Sequence, residues 1–433
     1  MKRIGKYEVI RVLGRGATSS VYLAHDPFAD RQVAIKLFNP DIFADSEQGR
    51  RFKKLFLTEA SLAGKLAHPH IAAIYDAVAG DDQGGLNYLV MEYVDGGTLE
   101  PYCKVDNLLD IDKVIEIIFK CCRALDYAWH HGVIHRDIKP ANILLTGGTE
   151  IKISDFGAAL TATTETTQVS GIGSPAYMSP QQIKEQPLTH QTDIYSLGVV
   201  FYQLLAGSLP FKATNNYSMI YQILNVDPPP PSVHRHEVPP VLDIIVKRAL
   251  EKDAANRYQS WDEFGHALIT AFNNLRKPEE NVPDTEKFNT LRKLAFFDNF
   301  SEVELWEVLR ITGWNRYPAG TTLIREGDVG TSFFILVGGE VEVSKNGKSL
   351  NVLHAGECFG EMAYLSKKHL QRTASITALD DIKVIEVNAR ALERASETCR
   401  NQFNAAFLEI LVDRLAAANI RLSQLLAKRN LNI

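Results

Sequence analysis

Long apolar runs are absent from this sequence of 433 residues. No segment reaches the roughly eighteen consecutive apolar residues that a membrane-spanning helix requires, and Gly5, Lys6 and Glu8 interrupt the apolar segment near the basic N-terminus. Disulfide bonds are not expected either, because the five cysteines form no CxxC pair and Cys121 and Cys122 are neighbours in a helix-like segment. Buried thiols in a reducing compartment fit this pattern. We therefore expect a cytoplasmic protein without a membrane contact.

A large charge imbalance is also missing, since the formal net charge is only −5. This value argues against wholesale binding to nucleic acid or to an acidic membrane surface. Internal repeats and low-complexity segments are absent as well, and the composition is that of a globular chain. One hydrophobic core rarely organises a chain of this length, so we expect two domains.

Two kinds of hydrophobic pattern follow one another in the first part of the chain. Glycine, β-branched residues and alternation dominate residues 7–38, as in a twisted antiparallel sheet, whereas residues 111–129 and 191–205 carry apolar side chains at helical spacing. A small β-rich lobe therefore precedes a larger helical lobe. The first domain is predicted to cover residues 1–272, and the polar, proline-broken segment 273–287 is predicted to be a linker.

The second part of the chain has the pattern of a β-barrel or jelly roll. Short alternating segments punctuated by glycine predict a β-domain over residues 288–400, and residues 401–433 are predicted to form a C-terminal dimerisation helix. Apolar residues recur in that helix at alternating steps of three and four, which is a heptad seam. The seam consists of Leu408, Leu411, Leu415, Ala418, Leu422 and Leu425. The predicted fold class is α+β, with several domains.

A cluster of polar residues in the first domain has the composition that phosphoryl transfer from ATP requires. The segment from His135 to Asn142 reads HRDIKPAN, and Asp155 opens a DFG tripeptide further along. In this order Asp137 supplies a proton acceptor, Lys139 a cation that reaches phosphate, and Asn142 and Asp155 two oxygen ligands for Mg²⁺. The pattern resembles the eukaryotic-type protein Ser/Thr kinase family in a bacterial-like form. The resemblance implies the bilobal protein kinase fold.

The same resemblance assigns the elements that bind ATP. A glycine-rich segment lets backbone N–H groups approach the phosphates, although Ser19 replaces the third glycine of the family. Lys36 and Glu59 match the catalytic ion pair that aligns the α- and β-phosphates. Lys139, two residues after the catalytic aspartate, implies Ser or Thr as the acceptor in a protein substrate. The residues placed around ATP are Gly14, Arg15, Gly16, Val21, Ala34, Lys36, Met91, Glu92 and Val94.

Control by phosphorylation is implied by Arg136, whose guanidinium beside the catalytic aspartate is suited to dock a phosphorylated activation loop. The threonine-rich loop that follows Asp155 contains the predicted acceptors. By the geometry of the family, the autophosphorylation candidates are Thr166, Thr167 and Ser170.

Several positions nearby match or depart from the family pattern. Asp193 matches the buried aspartate that holds the backbone of the catalytic loop. Gln181 replaces the glutamate of the family, so we expect a neutral hydrogen bond to Arg257 where relatives have an ion pair. Thr98 and Ala141 stand where basophilic kinases carry acidic residues, so a preference for arginine upstream of the target is not expected.

A second constellation lies in the predicted β-domain. Residues 359–365 read FGEMAYL and residues 371–376 read QRTASI, which together resemble the phosphate-binding cassette of cyclic-nucleotide-binding domains of the catabolite-activator and regulatory-subunit type. The resemblance implies that Arg372 meets the cyclic phosphate and that Glu361 accepts a hydrogen bond from the ribose 2′-hydroxyl. Thr373 is compatible with cAMP or cGMP. The residues placed around the cyclic nucleotide are Gly360, Glu361, Met362, Ala363, Arg372, Thr373 and Ala374.

Joined in one chain, the two constellations predict a Ser/Thr kinase that is regulated by a cyclic nucleotide and forms a homodimer through its C-terminal helix. ATP, Mg²⁺ and cAMP or cGMP are the expected small molecules, and DNA binding is not expected because no winged helix follows residues 401–433. Two alternatives stay open. One is an active kinase whose barrel is an empty dimerisation module, and the other is a pseudokinase scaffold, although Lys36, Asp137 and Asp155 are all present.

Overall fold

The computed structural model describes residues 2–16, 19–40, 56–58, 60–80, 85–156, 175–275, 284–362, 371–393 and 395–430. Two compact units are defined by their internal contacts, Met1–Glu280 (unit 1) and Asn281–Ile433 (unit 2). Some predicted site residues lie outside the described residues, and they are Glu59, Thr166, Thr167, Ser170 and Ala363.

Unit 1 begins with a six-stranded antiparallel sheet in the order β1-β2-β3-β4-β6-β5. The strands are β1 (Arg3–Ile4), β2 (Tyr7–Arg15), β3 (Ser19–Asp26), β4 (Arg31–Phe38), β5 (Ile74–Val78) and β6 (Tyr88–Glu92). Successive side chains of a strand point to opposite faces. In β4, Val33 and Ile35 therefore join one hydrophobic cluster, whereas Ala34 joins another on the face that also carries Lys36. The predicted β-rich lobe is confirmed.

Helices make up most of the remainder of unit 1. They are α1 (Ile111–His130), α2 (Pro180–Ile183), α3 (His190–Ala206), α4 (Asn216–Asn225), α5 (Pro240–Ala249) and α6 (Trp261–Leu275). The helices predicted over residues 111–129 and 191–205 are thus confirmed. Helix α3 begins after Thr189, whose side chain accepts from the Gln191 N–H, and ends at Gly207 in the left-handed conformation (φ 70°). Its residues are almost all buried, so it is a central support of the helical lobe.

A short hairpin of β7 (Ile143–Gly147) and β8 (Glu150–Ile153) lies between α1 and α2. Its open end pairs Ile143 with Ile153, and beyond that pair the Ser154 N–H donates to the Asn142 carbonyl at 2.8 Å. The hairpin also contacts the segment that precedes β5, because the Ile153 N–H donates to the His70 carbonyl at 2.9 Å. The segments that carry Asn142 and Asp155 are therefore held side by side, although they are separate in sequence.

The described residues of unit 2 form three short helices, two four-stranded sheets and a long C-terminal helix. The helices are α7 (Asp284–Lys293), α8 (Glu302–Ile311), α9 (Ala389–Leu392) and α10 (Glu397–Asn430). The strands are β9 (Thr312–Tyr317), β10 (Thr322–Ile324), β11 (Ser332–Gly338), β12 (Val341–Lys345), β13 (Lys348–Leu353), β14 (Cys358–Phe359), β15 (Ser375–Ala378) and β16 (Ile382–Asn388).

The sheets of unit 2 are ordered β10-β15-β12-β13 and β14-β11-β16-β9, with antiparallel pairing throughout. Side chains from both sheets, among them Leu336, Val341 and Val384, form one hydrophobic cluster. Helix α6 ends at Leu275 and α7 begins at Asp284, so helical structure covers both ends of the predicted linker. The domain limits deduced from the sequence stay predictions.

Helix α10 is attached to unit 2 by a cluster of phenylalanines. The ring centroids of Phe300 and Phe403 lie 5.1 Å apart, and those of Phe333 and Phe407 lie 4.9 Å apart. Edge-to-face pairs of this kind add to the hydrophobic stabilisation of buried rings. The next apolar side chain, Leu408, is 64% exposed. Among the residues that the structure describes, no helix has the length and apolar character needed to cross a membrane.

Candidate functional site

The catalytic loop of unit 1 brings three of the predicted residues into direct contact. Lys139 Nζ donates to Asp137 Oδ2 at 2.7 Å. The side-chain nitrogen of Asn142 donates to the Asp137 carbonyl at 2.7 Å and to Asp137 Oδ2 at 3.1 Å. A short 3-10 turn, Pro140–Asn142, sets the position of the asparagine. The carboxylate of Asp137 is thus oriented by a cation and an amide, as a proton acceptor in a fixed position requires.

The side chain of Asp193 on α3 fixes the backbone of this loop through two hydrogen bonds. Its two carboxylate oxygens accept hydrogen bonds from the N–H groups of His135 and Arg136, both at 2.8 Å. Arg136 has a φ of 66°, a left-handed backbone that costs on the order of 1–3 kcal/mol in a non-glycine residue. Burial raises the pKa of Asp193, while the two N–H donors favour its charged form. The predicted structural role of Asp193 is confirmed.

Asp155 lies two residues beyond the end of β8 and contacts the predicted strand lysine. Lys36 Nζ donates to Asp155 Oδ1 at 2.8 Å. Burial by itself raises the pKa of Asp155, but the charge of Lys36 and its hydrogen bond outweigh that effect, so the pKa is lowered and the carboxylate stays ionised. His135 steadies the segment, since its Nε2 is 2.8 Å from the Ser154 carbonyl and its ring packs 4.7 Å from the ring of Phe156.

The predicted adenine-binding segment covers the end of β6 and the residues just after it. Met91 is buried and paired with Ala34 of β4, while Val94 is half-buried. The side chain of Glu92 has structural partners, because its Oε2 is 3.0 Å from Lys152 Nζ and accepts from the Ala73 N–H at 3.1 Å. The side chain of Glu92 is therefore already engaged within unit 1.

The predicted glycine-rich segment includes the end of β2 and the start of β3. The Gly16 N–H donates to the Ser19 carbonyl at 2.8 Å, and Gly14 is paired with Val21. A Cβ added to Gly14 meets no atom within 4 Å, so there is open space beside this backbone. Arg15 is exposed at the end of β2.

The departure at Gln181 has the predicted consequence. Gln181 Oε1 accepts from Arg257 at 2.6 Å, so a neutral hydrogen bond stands where the family pattern has an ion pair. Arg257 is fully buried and donates otherwise to the backbone carbonyls of Glu251, Gln191 and Lys252. Burial lowers the pKa of Arg257 to about 10 and that of Lys252 to about 8. No carboxylate contacts Arg257 among the hydrogen bonds of the described residues.

In unit 2 the predicted phosphate-binding arginine is buried and fully engaged. Arg372, which is 9% exposed, donates to the Gly360 carbonyl at 2.8 Å and to the Ser332 carbonyl at 2.6 Å. Burial lowers its pKa, although Glu361 and Glu386 oppose that effect. A Cβ on Gly330 would collide with the guanidinium, so glycine at this position makes room for the arginine.

A cleft of about 320 Å³ opens next to Arg372. Its lining also includes Arg325, Asp328, Ser332 and Glu386. Gly360 and Glu361 do not line it, so this cleft does not collect all of the predicted nucleotide-binding residues. Among the others, Met362 and Thr373 are exposed and Ala374 is half-buried.

Glu361 is 2% exposed and is bound by a residue that the sequence patterns did not single out. Arg414 of α10 donates to Glu361 Oε1 at 2.5 Å and, through its second terminal nitrogen, to the Cys358 carbonyl. The thiol of Cys358 lies 3.8 Å from the other carboxylate oxygen, Oε2. Nothing in the sequence distinguishes Arg414 from the other cations of this helix. Gly330 and Ser332 were likewise missed as neighbours of Arg372.

Comparison with known families identifies the class of protein. The family model of the protein kinase domain matches residues 7–268, and the chain belongs to this family. The model of the cyclic nucleotide-binding domain matches residues 314–399, so a domain of this type follows the kinase domain. The resemblances drawn from the two sets of motifs, and the α+β multidomain fold class, are confirmed.

Curated relatives are bacterial kinases. The chain is 38% identical over 290 residues to the Ser/Thr protein kinase PknB of Mycolicibacterium smegmatis, covering 66% of this chain and 45% of the relative. It is 38% identical over 282 residues to the Ser/Thr protein kinase PrkC of Bacillus subtilis, covering 64% and 42%. The chain thus spans less than half the length of these relatives.

Among solved structures, a mutant of the Mycobacterium tuberculosis PknI kinase domain covers 62% of this chain and 96% of its own length. The identity is 29% and the TM-score is 0.50.

A carboxylate at position 181 is expected to stabilise unit 1. Gln181→Glu would place a negative charge against the buried cation of Arg257, but it would also lose the hydrogen bond that the Gln181 side-chain nitrogen donates to the Lys252 carbonyl at 3.0 Å. A charge-assisted hydrogen bond to a buried guanidinium outweighs one neutral bond, so the free energy of unfolding should rise by about 1 kcal/mol. Urea unfolding of the full chain, followed by a probe in unit 1, measures the change. Gln186→Glu, an exposed position nearby, is the matched control. Equal shifts in both variants would contradict the explanation.

Proposed function

We propose that the chain is an ATP-dependent Ser/Thr protein kinase whose activity is regulated by a cyclic nucleotide bound to its C-terminal domain. The observation that carries the kinase assignment is the convergence of polar side chains at the open end of the β7–β8 hairpin. They are Lys36, Asp137, Lys139, Asn142 and Asp155. A cytoplasmic location, where ATP is available, belongs to the proposal.

Mg²⁺ and ATP fit the donor set of this site. Magnesium prefers hard oxygen ligands. Asp155 provides an ionised carboxylate, and Asn142 provides an amide oxygen because its bonds to Asp137 use only the side-chain nitrogen. These two residues would hold the metal. When bound, its positive charge would neutralise negative charge on the β- and γ-phosphates.

The side chains of the loop account for the transfer step. Asp137 orients the substrate hydroxyl and accepts its proton, while the hydroxyl oxygen forms a bond to the γ-phosphorus and the bond to the departing ADP oxygen breaks. Lys139, which now contacts Asp137, neutralises charge on the transferred phosphoryl group. Lys36 binds the α- and β-phosphates, and Glu59 is its proposed ion-pair partner.

The remaining roles follow the family pattern. ATP is proposed to lie between the glycine-rich segment of Gly14, Arg15, Gly16 and Val21 and the segment of Met91, Glu92 and Val94, with Ala34 beneath the adenine. Phosphorylation at Thr166, Thr167 or Ser170 is proposed to engage Arg136 and to activate the enzyme. The proposed substrate is a protein.

Removal of the proposed base tests the kinase assignment. Asp137→Asn should lower kcat for autophosphorylation and for a generic Ser/Thr substrate protein by roughly 10²–10⁴-fold, because the proton acceptor is lost. Transfer of radiolabelled γ-phosphate from Mg-ATP measures this. Asp30→Asn is the control. It makes the same aspartate-to-asparagine change in the exposed β3–β4 turn and should retain full activity. Wild-type protein without transferase activity would favour the pseudokinase scaffold.

The cyclic nucleotide is proposed to bind at Arg372 and the cassette. A buried guanidinium whose terminal nitrogens now donate to backbone carbonyls has the geometry to exchange one of these weak acceptors for an anionic phosphate. Gly360, Met362, Ala363 and Ala374 would contribute backbone contacts, Glu361 the ribose contact, and Thr373 a hydroxyl near the base of cAMP or cGMP. The competing hypothesis is a barrel that binds no nucleotide and serves only in dimerisation.

Titration calorimetry of cAMP and cGMP into the full chain separates these hypotheses. Arg372→Ala should weaken binding by about 100-fold, because the charge-assisted hydrogen bond to phosphate is lost. Arg316→Ala, an exposed arginine on β9, should bind as the wild type does. Kinase activity measured with and without the bound nucleotide then tests regulation. Absence of binding by the wild-type protein would support the empty barrel.

The proposed homodimer uses the seam of α10. Leu408 and Leu415 are 64% and 63% exposed, and Val412 beside them is 58% exposed, which is unusual for a row of large apolar side chains on one helix. A second copy of the same helix offers the matching seam. We therefore propose a parallel pairing of α10 helices between two chains.

Charges placed in the seam should abolish that pairing. The Leu408→Glu/Leu415→Glu variant is expected to dissociate into monomers, with a dimer Kd at least about tenfold higher, because the carboxylates would be buried against like charges. Sedimentation of the full chain at micromolar concentrations measures the mass. Glu409→Gln, exposed on the same helix, is the control. A wild-type protein that sediments as a monomer would refute the dimer.

A further inference from the structure

The peptide group that precedes Asp137 is held at both of its polar atoms. The Arg136 carbonyl accepts a hydrogen bond from Gln182 Nε2 at 2.8 Å. The Asp137 N–H donates to Nδ1 of His135 at 3.2 Å, and Nε2 of that ring lies 2.8 Å from the Ser154 carbonyl, so the ring carries its proton on Nε2. Because a peptide group is planar, these two bonds fix the plane from which the backbone of Asp137 continues.

Gln182 itself lies outside the catalytic loop. It is the third residue of the short helix α2, and its side chain forms a capping box with Ser179. Gln182 Oε1 accepts from the Ser179 N–H at 2.9 Å, and Ser179 Oγ accepts from the Gln182 N–H at 3.2 Å. The amide therefore has one orientation that satisfies both ends, with its oxygen at the cap and its nitrogen at the Arg136 carbonyl. The reverse orientation would place oxygen against oxygen and N–H against N–H.

The segment that carries Gln182 is attached to α3. The Tyr177 hydroxyl donates to Gln203 Oε1 at 2.6 Å, and Ser196 Oγ donates to the Tyr177 carbonyl at 2.8 Å. Asp193, which accepts from two N–H groups of the catalytic loop, belongs to the same helix. Helix α3 therefore supports the catalytic loop in two ways, directly through Asp193 and indirectly through the segment that ends in α2 and through Gln182.

We propose that Gln182 is a positioning residue for phosphoryl transfer, whose side-chain N–H holds the peptide group before Asp137 and so sets the direction from which the Asp137 carboxylate meets the substrate hydroxyl. The inference rests on the proposed function, because it takes Asp137 as the proton acceptor. The amide has two separable tasks. Its oxygen caps α2 and stabilises the fold, whereas its nitrogen acts on the catalytic loop.

Gln182→Glu separates the two tasks. Glutamate is a common capping-box residue, so the carboxylate keeps the bond to the Ser179 N–H, but it places an oxygen that cannot donate beside the Arg136 carbonyl. We expect kcat to fall about 10–100-fold, as a small displacement of a catalytic group produces, while KM for ATP stays within about twofold of the wild-type value. The urea midpoint should not change. Transfer of radiolabelled γ-phosphate from Mg-ATP to a generic Ser/Thr substrate protein by the full chain gives kcat and KM.

Gln182→Met keeps the length of the side chain but removes both polar atoms. It should lower kcat to the same degree as Gln182→Glu, and it should also lower the urea midpoint because the cap is lost. Gln186→Glu and Gln186→Met are the matched controls, since they make the same changes at an exposed position just beyond α2, and both should keep the wild-type kcat. In the Asp137→Asn background, Gln182→Glu should lower the residual kcat by less than about twofold, because Gln182 acts through Asp137.

Four results would overturn the proposal. A wild-type kcat in Gln182→Glu, with a loss only in Gln182→Met, would show that the residue is a helix cap alone. A urea midpoint lowered as far in Gln182→Glu as in Gln182→Met would show that the contact with Arg136 is structural. Full additivity of Gln182→Glu and Asp137→Asn would show that Gln182 does not act through Asp137. A wild-type protein without transferase activity would refute the proposed function itself, and the role of Gln182 with it.

Discussion

The two hydrogen bonds that Asp193 accepts from the backbone of His135 and Arg136 are the contact on which the candidate active site depends. Arg136 has a left-handed backbone that an arginine does not adopt without compensation. The buried carboxylate on α3 provides that compensation, and Gln182 adds a bond to the Arg136 carbonyl at 2.8 Å. The chain direction after Arg136 then brings Asp137 against Lys139 and Asn142. Without this support the loop would lose the geometry that proton transfer needs.

The same physical constraint organises the second unit. Charged side chains that leave water need partners, because a lone buried charge costs several kcal/mol. Arg372 satisfies this need with two backbone carbonyls, and Glu361 satisfies it with Arg414. The first arrangement leaves a cation that an anionic ligand could engage more strongly than the carbonyls do. The second ties the cassette to α10, so the candidate ligand site and the position of the C-terminal helix depend on each other.

Much of the fold was predictable because its signals are local. Helical spacing over residues 111–129 and 191–205 matches α1 and α3, and alternation over residues 7–38 matches the first strands. The partner of Arg257 was predictable for a different reason, since a family pattern supplied a long-range pair that local spacing does not contain. Arg414 had neither signal: it lies between seam positions, and in the sequence it is one more cation on a polar helix. The contact of Lys36 with Asp155 was also not predicted, because the family pattern pairs that lysine with Glu59.

The sequence by itself determined which chemical groups are present, their order along the chain, and therefore the protein kinase family and the cyclic nucleotide-binding domain that follows it. The tertiary structure decided which groups meet. Lys36 reaches Asp155 across 119 positions, Asp193 reaches His135 across 58, and Arg414 reaches Glu361 across 53. Such pairs form only when packed strands and helices bring distant segments within hydrogen-bond distance. Their energy depends on burial and on orientation in space, and neither is written in the spacing of residues along the chain.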